Sequence, residues 1–333
     1  MGTGVKSLGE KIMNLLNLIN ERVVTDEVVG TVERITVKNK KIKLVVSEEE
    51  LAVRKQIEKV RNEVISTYKE IKSGQDVSVC TVSDDKTLNN MVLRPQWIKI
   101  VPYQTMKEDG SCVKGYYVRS KADNYLYMSV SLGNRKLKQV GEKTFLIFNL
   151  TQKATCKNAS KDCLKFCYAD KAPVCFANVV KARSWYTAAS MLGNFAEIMQ
   201  MVINKAKSEY KHITFRWHES GDIYSKNYFH KMVSVMANNP GIRFGIYTKA
   251  MFVLDAKIQL PNASIRYSLD MSTPGEIVQK VRENKYPTFM AIKKELINEL
   301  SIKRYNICMD DCTHCRKCYI PHKNLLDMIC AIH

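Results

Sequence analysis

The spacing of the cysteines constrains this chain more than any other feature of its sequence. Of the eleven cysteines, four form a first group and four a second: Cys156-x6-Cys163-x3-Cys167, with Cys175 a little further on, and Cys308-x3-Cys312-x2-Cys315-x2-Cys318. Thiols this close in sequence can converge on one metal ion or cluster without a long loop closing between them. The spacing therefore predicts two metal- or cluster-binding sites. The thiols expected to have no such role are Cys80, Cys112 and Cys330, together with Cys175, which lies apart from the other three thiols of its group.

The chain begins without a secretory signal, and no apolar run approaches the ~20 residues needed to cross a bilayer. We therefore expect a soluble, cytoplasmic protein with no membrane partner. Because a reducing cytosol disfavours disulfides, the same compartment favours metal ligation by the grouped cysteines.

The charge of the chain favours a polyanionic partner. The formal net charge is +19, and residues 101–250 hold 23 Lys and Arg against 10 Asp and Glu, a net of +13. A field of this size attracts phosphate groups, so nucleic acid is a candidate partner. Alternatively, the same net charge is scattered over the surface and serves only to keep the protein soluble.

Patterning divides the chain into three predicted parts. Residues 1–103 combine short strands with a long helical pattern at 47–72, which is typical of a small α+β or OB-like module. Residues 114–307 alternate apolar strands with helices, which favours a parallel sheet or a partial (β/α) barrel from about residue 115. Residues 308–333 are expected to form a cysteine-rich metal knuckle.

Polar residues follow four successive predicted strands of the middle part, at 145–150, 212–217, 242–247 and 264–269. Since active sites of parallel α/β folds gather at the carboxyl ends of strands, these residues are expected at one rim. They are the first cysteine group, His218-Glu219-Ser220-Gly221-Asp222, Thr248-Lys249 and Asp270. The alternative is structural: His218-Glu219 as a loop anchor, Asp222 as a helix cap and Lys249 as a solvated side chain.

The metal at either cysteine group stays open at this level. Three thiolates can hold a [4Fe–4S] cluster and leave one iron without a protein ligand, whereas structural zinc takes four ligands. Cys175 or His218 would supply a fourth zinc ligand to the first group. The second group has four thiols, enough for zinc or for an iron–sulfur cluster.

Residues from about 130 to the end resemble the gene product 88 family of phages and plasmids. The matching segments are TCKNASKDCLKFCYA (155–169), FRWHESGD (215–222), PGIRFGIYTKA (240–250) and the terminal CTHCRKCY…IH (312–333). The resemblance implies a phage or mobile-element origin, and hence the host cytoplasm, but no established activity.

More distantly, the order of these segments resembles the core of radical S-adenosylmethionine (SAM) enzymes. In that family a cysteine triad follows the first barrel strand and holds a [4Fe–4S] cluster, which the resemblance assigns to Cys156, Cys163 and Cys167. The spacing C-x6-C-x3-C is longer than the family's usual C-x3-C-x2-C. The cofactor-binding positions that the resemblance implies are Ser220, Gly221, Asp222 and Thr248.

Three functions are consistent with these patterns. The first is a radical-SAM-like iron–sulfur enzyme with a flavodoxin or ferredoxin as reductant, in which Glu219, Asp222, Lys249 and Asp270 line the pocket. The second is a zinc-stapled nucleic-acid-binding protein without catalysis. The third is a metal-dependent hydrolase that uses His218, Glu219 and Asp222.

Overall fold

The computed structural model describes residues 37–38, 41–42, 45–77, 81–106, 112–134, 136–170, 177–299, 305–308, 312–320 and 327–331. The chain divides into two units, Met1–Ser47 and Glu48–His333. In the first unit, the described residues form a two-stranded antiparallel ladder of β1 (Val37–Lys38) and β2 (Lys41–Ile42). The rest of the predicted OB-like strands before residue 45 lies outside the described residues.

The second unit contains one sheet and the helices that pack on it. Its strands are β3 (Ile98–Met106), β4 (Cys112–Ser120), β5 (Leu126–Leu132), β6 (Lys143–Phe148), β7 (His212–Trp217), β8 (Arg243–Thr248), β9 (Ala263–Asp270), β10 (Thr288–Ile292), β11 (Tyr305–Ile307) and β12 (Asp327–Ala331). Its helices are α1 (Glu48–Lys72), α2 (Lys86–Asn89), α3 (Lys161–Lys165), α4 (Ala177–Ser190), α5 (Phe195–Lys207), α6 (Lys226–Ala237), α7 (Met251–Ala256), α8 (Gly275–Glu283), α9 (Lys294–Glu299) and α10 (Cys312–Cys315).

The ten strands lie in the order β11-β12-β10-β9-β8-β7-β6-β5-β4-β3. β3 to β6 pair antiparallel, as a meander. From β6 onward every pair is parallel, and β6 to β10 are neighbours in chain order. The carboxyl ends of β6, β7, β8 and β9 therefore meet at one edge of the sheet, as the sequence predicts.

The two faces of the parallel strands are covered differently. Alternate residues such as Phe148, Phe215 and Phe244 pack with helices α4 to α8 in the main core. On the other face, Phe145 and Ile147 pack with Cys318, Tyr319 and Met328 in a second, smaller core. Since both faces are buried, the parallel strands are almost continuously apolar in sequence.

The division of the chain differs from the predicted boundary near residues 103–114. β3 and β4, on either side of that point, pair over nine residues from Ile98–Ser120 to Met106–Cys112. α1 also belongs to the second unit, because Arg61 lies 4.8 Å from the ring centroid of Trp185 on α4. Local composition signalled a loop there, but a hairpin between two strands has the same composition.

The terminal cysteine-rich region is part of the sheet rather than a separate tail. β12 pairs parallel with β10 on one side and with β11 on the other. The described residues include no helix that is long and apolar enough to cross a membrane.

Candidate metal centre

The first cysteine group lies in the loop that follows β6, residues 149–170, which we call the thiol loop. Thr155 accepts a hydrogen bond from the backbone N–H of Asp222 at 3.1 Å and donates to the carbonyl of Thr151 at 2.8 Å. Ser160 caps α3 by accepting from the N–H of Cys163 at 3.3 Å, and its hydroxyl donates to Asp270. The loop is thus tied to the ends of β7 and β9.

The three thiols of the loop share one electrostatic environment. Burial raises the pKa of Cys156 well above its usual value, and the charges of Asp222, Cys163 and Cys167 raise it further. Burial likewise raises the pKa of Cys163 to about 12, against the charge of Lys249, and it raises the pKa of Cys167. All three are free thiols. Without a bound cation, these thiols are therefore protonated at neutral pH.

Asp222 lies at the centre of the strand ends and is 8% exposed. Its Oδ1 accepts from Thr248 Oγ1 at 2.6 Å and from the N–H of Ile223 at 2.7 Å, while Oδ2 accepts from the N–H of Lys249 at 2.8 Å. Burial nevertheless raises the pKa of this carboxyl. The carboxylate joins the ends of β7 and β8, and it can accept one more donor.

Lys249 is buried and forms an ion pair, so the solvated alternative does not hold. Its ammonium nitrogen lies 2.9 Å from Asp270 Oδ2 and 2.9 Å from the carbonyl oxygen of Ser268. Burial alone would raise the pKa of Asp270, but Lys249 and the hydroxyls of Ser160 and Ser272 hold it below its usual value. The two predicted pocket residues therefore neutralise each other beside Cys163.

The turn after β7 is bonded directly to the start of the thiol loop. Asn149 Oδ1 accepts the backbone N–H groups of Glu219 at 2.8 Å and Ser220 at 3.1 Å, and Ser220 Oγ donates to the carbonyl of Leu150 at 2.9 Å. Gly221 has φ +79°, and a Cβ there would lie 2.7 Å from Thr155 Oγ1. Only glycine suits this close approach and this φ.

His218 is directed away from the thiol loop, into the main core. Its Nε2 lies 2.8 Å from the hydroxyl of Tyr228 on α6, and burial together with the charge of Arg216 lowers its pKa to about 3. Glu219, by contrast, accepts from the side-chain amide of Asn134. His218, Glu219 and Asp222 thus have separate partners, which agrees with the loop-anchor alternative for His218 and removes the geometric basis for the hydrolase.

The second cysteine group lies on the face opposite the helices. Cys318 is buried in the smaller core, with Cys308 and Cys312 packed against it. Burial raises the pKa of Cys312 to about 12, and the charges of Cys308 and Cys318 contribute to that rise. Cys315 lies one turn of α10 from Cys312, at the end of that helix.

The described side chains of both groups are spaced more widely than the ligands of a metal site. Within the part of the chain that the structure describes, no three His, Cys, Asp or Glu side chains meet closely enough to hold a metal ion. Cys175 lies outside the described residues.

Sequence reasoning missed one charged residue of this region, Arg216. Its guanidinium lies 3.5 Å from the ring centroid of Tyr247, on the same face as the second cysteine group. The available signal was the position of a lone arginine inside an otherwise apolar strand, His212–Trp217.

Comparison with known proteins gives one match. A family model described as Gene product 88 matches residues 128–319, which is more than half of the chain and includes both cysteine groups. No curated protein and no solved structure matches the chain.

Proposed function

The chain belongs to the gene product 88 family, and we propose that it is a radical-SAM-like iron–sulfur enzyme acting on an anionic substrate, with nucleic acid favoured. A phage or mobile-element origin and the host cytoplasm are part of this proposal. The observation that carries it is the thiol loop, whose three thiols lie beside the polar ends of three consecutive parallel strands. We further propose that β6 to β10 and β12 form a partial (β/α) barrel, since the helices of the main core pack on one face.

The donor set matches a [4Fe–4S] cluster in ligand type, while the three thiols would have to move closer together to hold one. Cys156, Cys163 and Cys167 lie in one loop, influence one another's pKa values, and have raised pKa values that a bound cation would lower. Three thiolates would hold the cluster and leave one iron for SAM. When bound, the cluster and SAM together would supply reductive cleavage of SAM and a carbon radical. The electron would come from a flavodoxin or ferredoxin.

The residues around the loop would bind and orient rather than react. Asp222 is held by three donors and retains capacity for one more, which suits the amino group of the cofactor. Ser220, Gly221 and Thr248 shape that position. Lys249 and Asp270 hold the N-terminus of α3, and Glu219 accepts from the side-chain amide of Asn134.

The test is anaerobic purification of the full chain, followed by iron, sulfide and zinc analysis and an absorption spectrum. We expect about four or more irons per chain with matching sulfide, as a [4Fe–4S] site requires. Cys163→Ala should lose that iron and SAM cleavage together. Cys112→Ala is the matched control, since Cys112 is an exposed free thiol on β4.

Two outcomes oppose the proposal. Retained SAM cleavage in Cys163→Ala would remove the thiol loop from the chemistry. Colourless protein with zinc and no iron, from cells given ample iron, would remove the iron–sulfur assignment altogether.

A second candidate is a zinc-stapled nucleic-acid-binding protein without catalysis. The packing of Cys308 and Cys312 against Cys318, together with the net charge of +19, favours it. It predicts one or two zincs per chain, few irons, and nucleic-acid binding that weakens steeply with salt. Binding that is absent or independent of salt would exclude it.

A further inference from the structure

Arg216 is a desolvated cation that pairs with no carboxylate in the part of the chain that the structure describes. It lies on β7, on the face that carries the second cysteine group, and its side chain is only partly exposed. Among the described residues, no carboxylate lies within ion-pairing distance of its guanidinium. Buried guanidinium groups are normally paired, so an anion bound here would supply a partner that the described residues do not.

The guanidinium is held in a fixed orientation by its neighbours. Its plane centre lies 3.5 Å from the ring centroid of Tyr247, and its Nε donates to the carbonyl oxygen of His218 at 3.2 Å. Tyr319 also hydrogen-bonds to the guanidinium, so only the N–H groups that remain can meet a ligand. A fixed arginine fork of this kind binds carboxylate or phosphate oxygens in a bidentate manner.

Glu219 is the acidic residue whose charge raises the pKa of Arg216, but its own hydrogen bonds are to other residues. Its carboxylate accepts from the amide of Asn134, and its backbone N–H is bonded to Asn149. It influences the charge of Arg216 at longer range without neutralising it by contact.

An exposed aromatic ring of the thiol loop lies within range of the charge of Arg216. Tyr168, directly after Cys167, is 53% exposed; partial desolvation and the charge of Glu219 raise the pKa of its hydroxyl, against the charge of Arg216. Phe166, before Cys167, is 38% exposed, and Lys165 lies 5.3 Å from its ring centroid. Exposed rings beside cations are what a nucleobase and its phosphate require.

We infer that Arg216 is the phosphate-binding residue of a nucleotide subsite, in which Tyr168 offers a ring face to the base. This inference deepens the proposed function. It rests on that function only where the bound nucleotide is taken to be part of the enzyme's substrate. The binding itself requires neither cluster nor SAM.

The test is equilibrium binding of uridine monophosphate, uridine and inorganic phosphate to the full chain. We expect uridine monophosphate to bind more tightly than uridine and to be displaced by phosphate. Arg216→Gln should weaken uridine monophosphate about tenfold or more, the loss typical of hydrogen bonds to a charged group. Uridine binding should change little.

The chain offers a matched control in Arg119. This arginine also stacks on a tyrosine, 4.6 Å from the ring centroid of Tyr117, but on the antiparallel strand β4. Arg119→Gln should therefore leave all three affinities unchanged. Equal losses in the two variants would mean that surface charge alone binds the nucleotide, and would overturn the subsite.

Glu219→Gln keeps the inference testable even if Arg216→Gln fails to fold. Because it removes a negative charge near Arg216, it should tighten uridine monophosphate by about two- to fivefold, a gain that a purely structural Arg216 would not give. An unchanged or weakened affinity would overturn the subsite.

A short single-stranded RNA distinguishes the two sources of the phosphate. RNA that competes with uridine monophosphate and loses affinity in Arg216→Gln identifies a polynucleotide, whereas RNA that does not compete identifies a free nucleotide. In Cys163→Ala the affinity for uridine monophosphate should persist. Failure of the iron–sulfur proposal and failure of the subsite are thereby separate results.

Discussion

The ammonium nitrogen of Lys249 lies 2.9 Å from Oδ2 of Asp270, and the same carboxylate accepts the hydroxyl of Ser160, the N-cap of α3. This pair joins the ends of β8 and β9 to the helix that carries Cys163. The two side chains are 10% and 6% exposed. Loss of either charge would therefore leave the other buried without compensation, and would loosen the thiol loop at the same point.

Lys249→Met should strongly destabilise the protein. Removing one partner of a buried ion pair costs about 3–5 kcal/mol, which denaturant unfolding measures directly. Lys280→Met is the control, because Lys280 pairs with Asp255 while the two side chains are 38% and 62% exposed. Such a surface pair contributes only about 0–1 kcal/mol. Similar losses in the two variants would contradict the role of the buried pair.

The same pair predicts an acid dependence of stability. The pKa of Asp270 is lowered in the native state from its usual 3.8, so the unfolded chain binds more protons at low pH. The stabilisation is present above that value and is lost as the pH falls through the native pKa. In Lys249→Met burial instead raises this pKa above its usual value, so the contribution of Asp270 changes sign and acidification no longer costs stability through this residue.

Unfolding free energies measured at a series of acidic pH values would show this shift. Asp270→Asn supplies the baseline. The difference in unfolding free energy between the wild-type protein and Asp270→Asn isolates the contribution of this one carboxyl. A difference that does not change with pH would contradict the lowered pKa of Asp270.

His218 predicts a second and separate pH dependence. Its pKa is about 3 in the native state and 6.5 in the unfolded chain, so the native state binds fewer protons between these values. Stability should therefore fall with decreasing pH across this window, by about 1.4 kcal/mol per pH unit from this residue. His218→Asn should remove this slope, and asparagine tolerates the positive φ of 55° at this position. His212→Asn, at an exposed position, should keep it.

The rim of the sheet could be predicted because it depends on local patterns and one general rule. The apolar runs at 212–217 and 242–247 correspond to β7 and β8, and parallel strands bring the residues that follow them to one edge. This rule alone predicts that Asp222 lies near Thr248 and that Lys249 lies near Asp270. It does not predict the direction in which each side chain points.

The features that sequence reasoning missed depend on contacts between distant segments. His218 looked like a partner of Glu219, but its ring meets Tyr228, on a helix that the chain reaches only later. Arg216 is unremarkable in sequence until Tyr247, on the next strand, supplies the ring beneath it. Similarly, loop composition near residue 107 could not show that β3 continues the sheet.

The contact between Gly245 and Tyr319 gives the last prediction. The ring of Tyr319 lies against β8 at the one position without a side chain, and a Cβ on Gly245 would lie 2.4 Å from its Cε1. Gly245→Ala must therefore displace a ring that is 2% exposed in the smaller core, at a cost of about 1–3 kcal/mol.

Because Tyr319 follows Cys318 directly, the same substitution should lower the content of the metal proposed for the second cysteine group, while the iron proposed for the thiol loop is retained. Thermal unfolding and metal analysis of one preparation measure both effects. Gly241→Ala is the control: a Cβ at that position meets no atom within 4 Å. Adding Tyr319→Leu to Gly245→Ala should restore part of the stability, since the smaller side chain relieves the overlap. Full metal content and unchanged stability in Gly245→Ala would show that Tyr319 does not hold the second group in place.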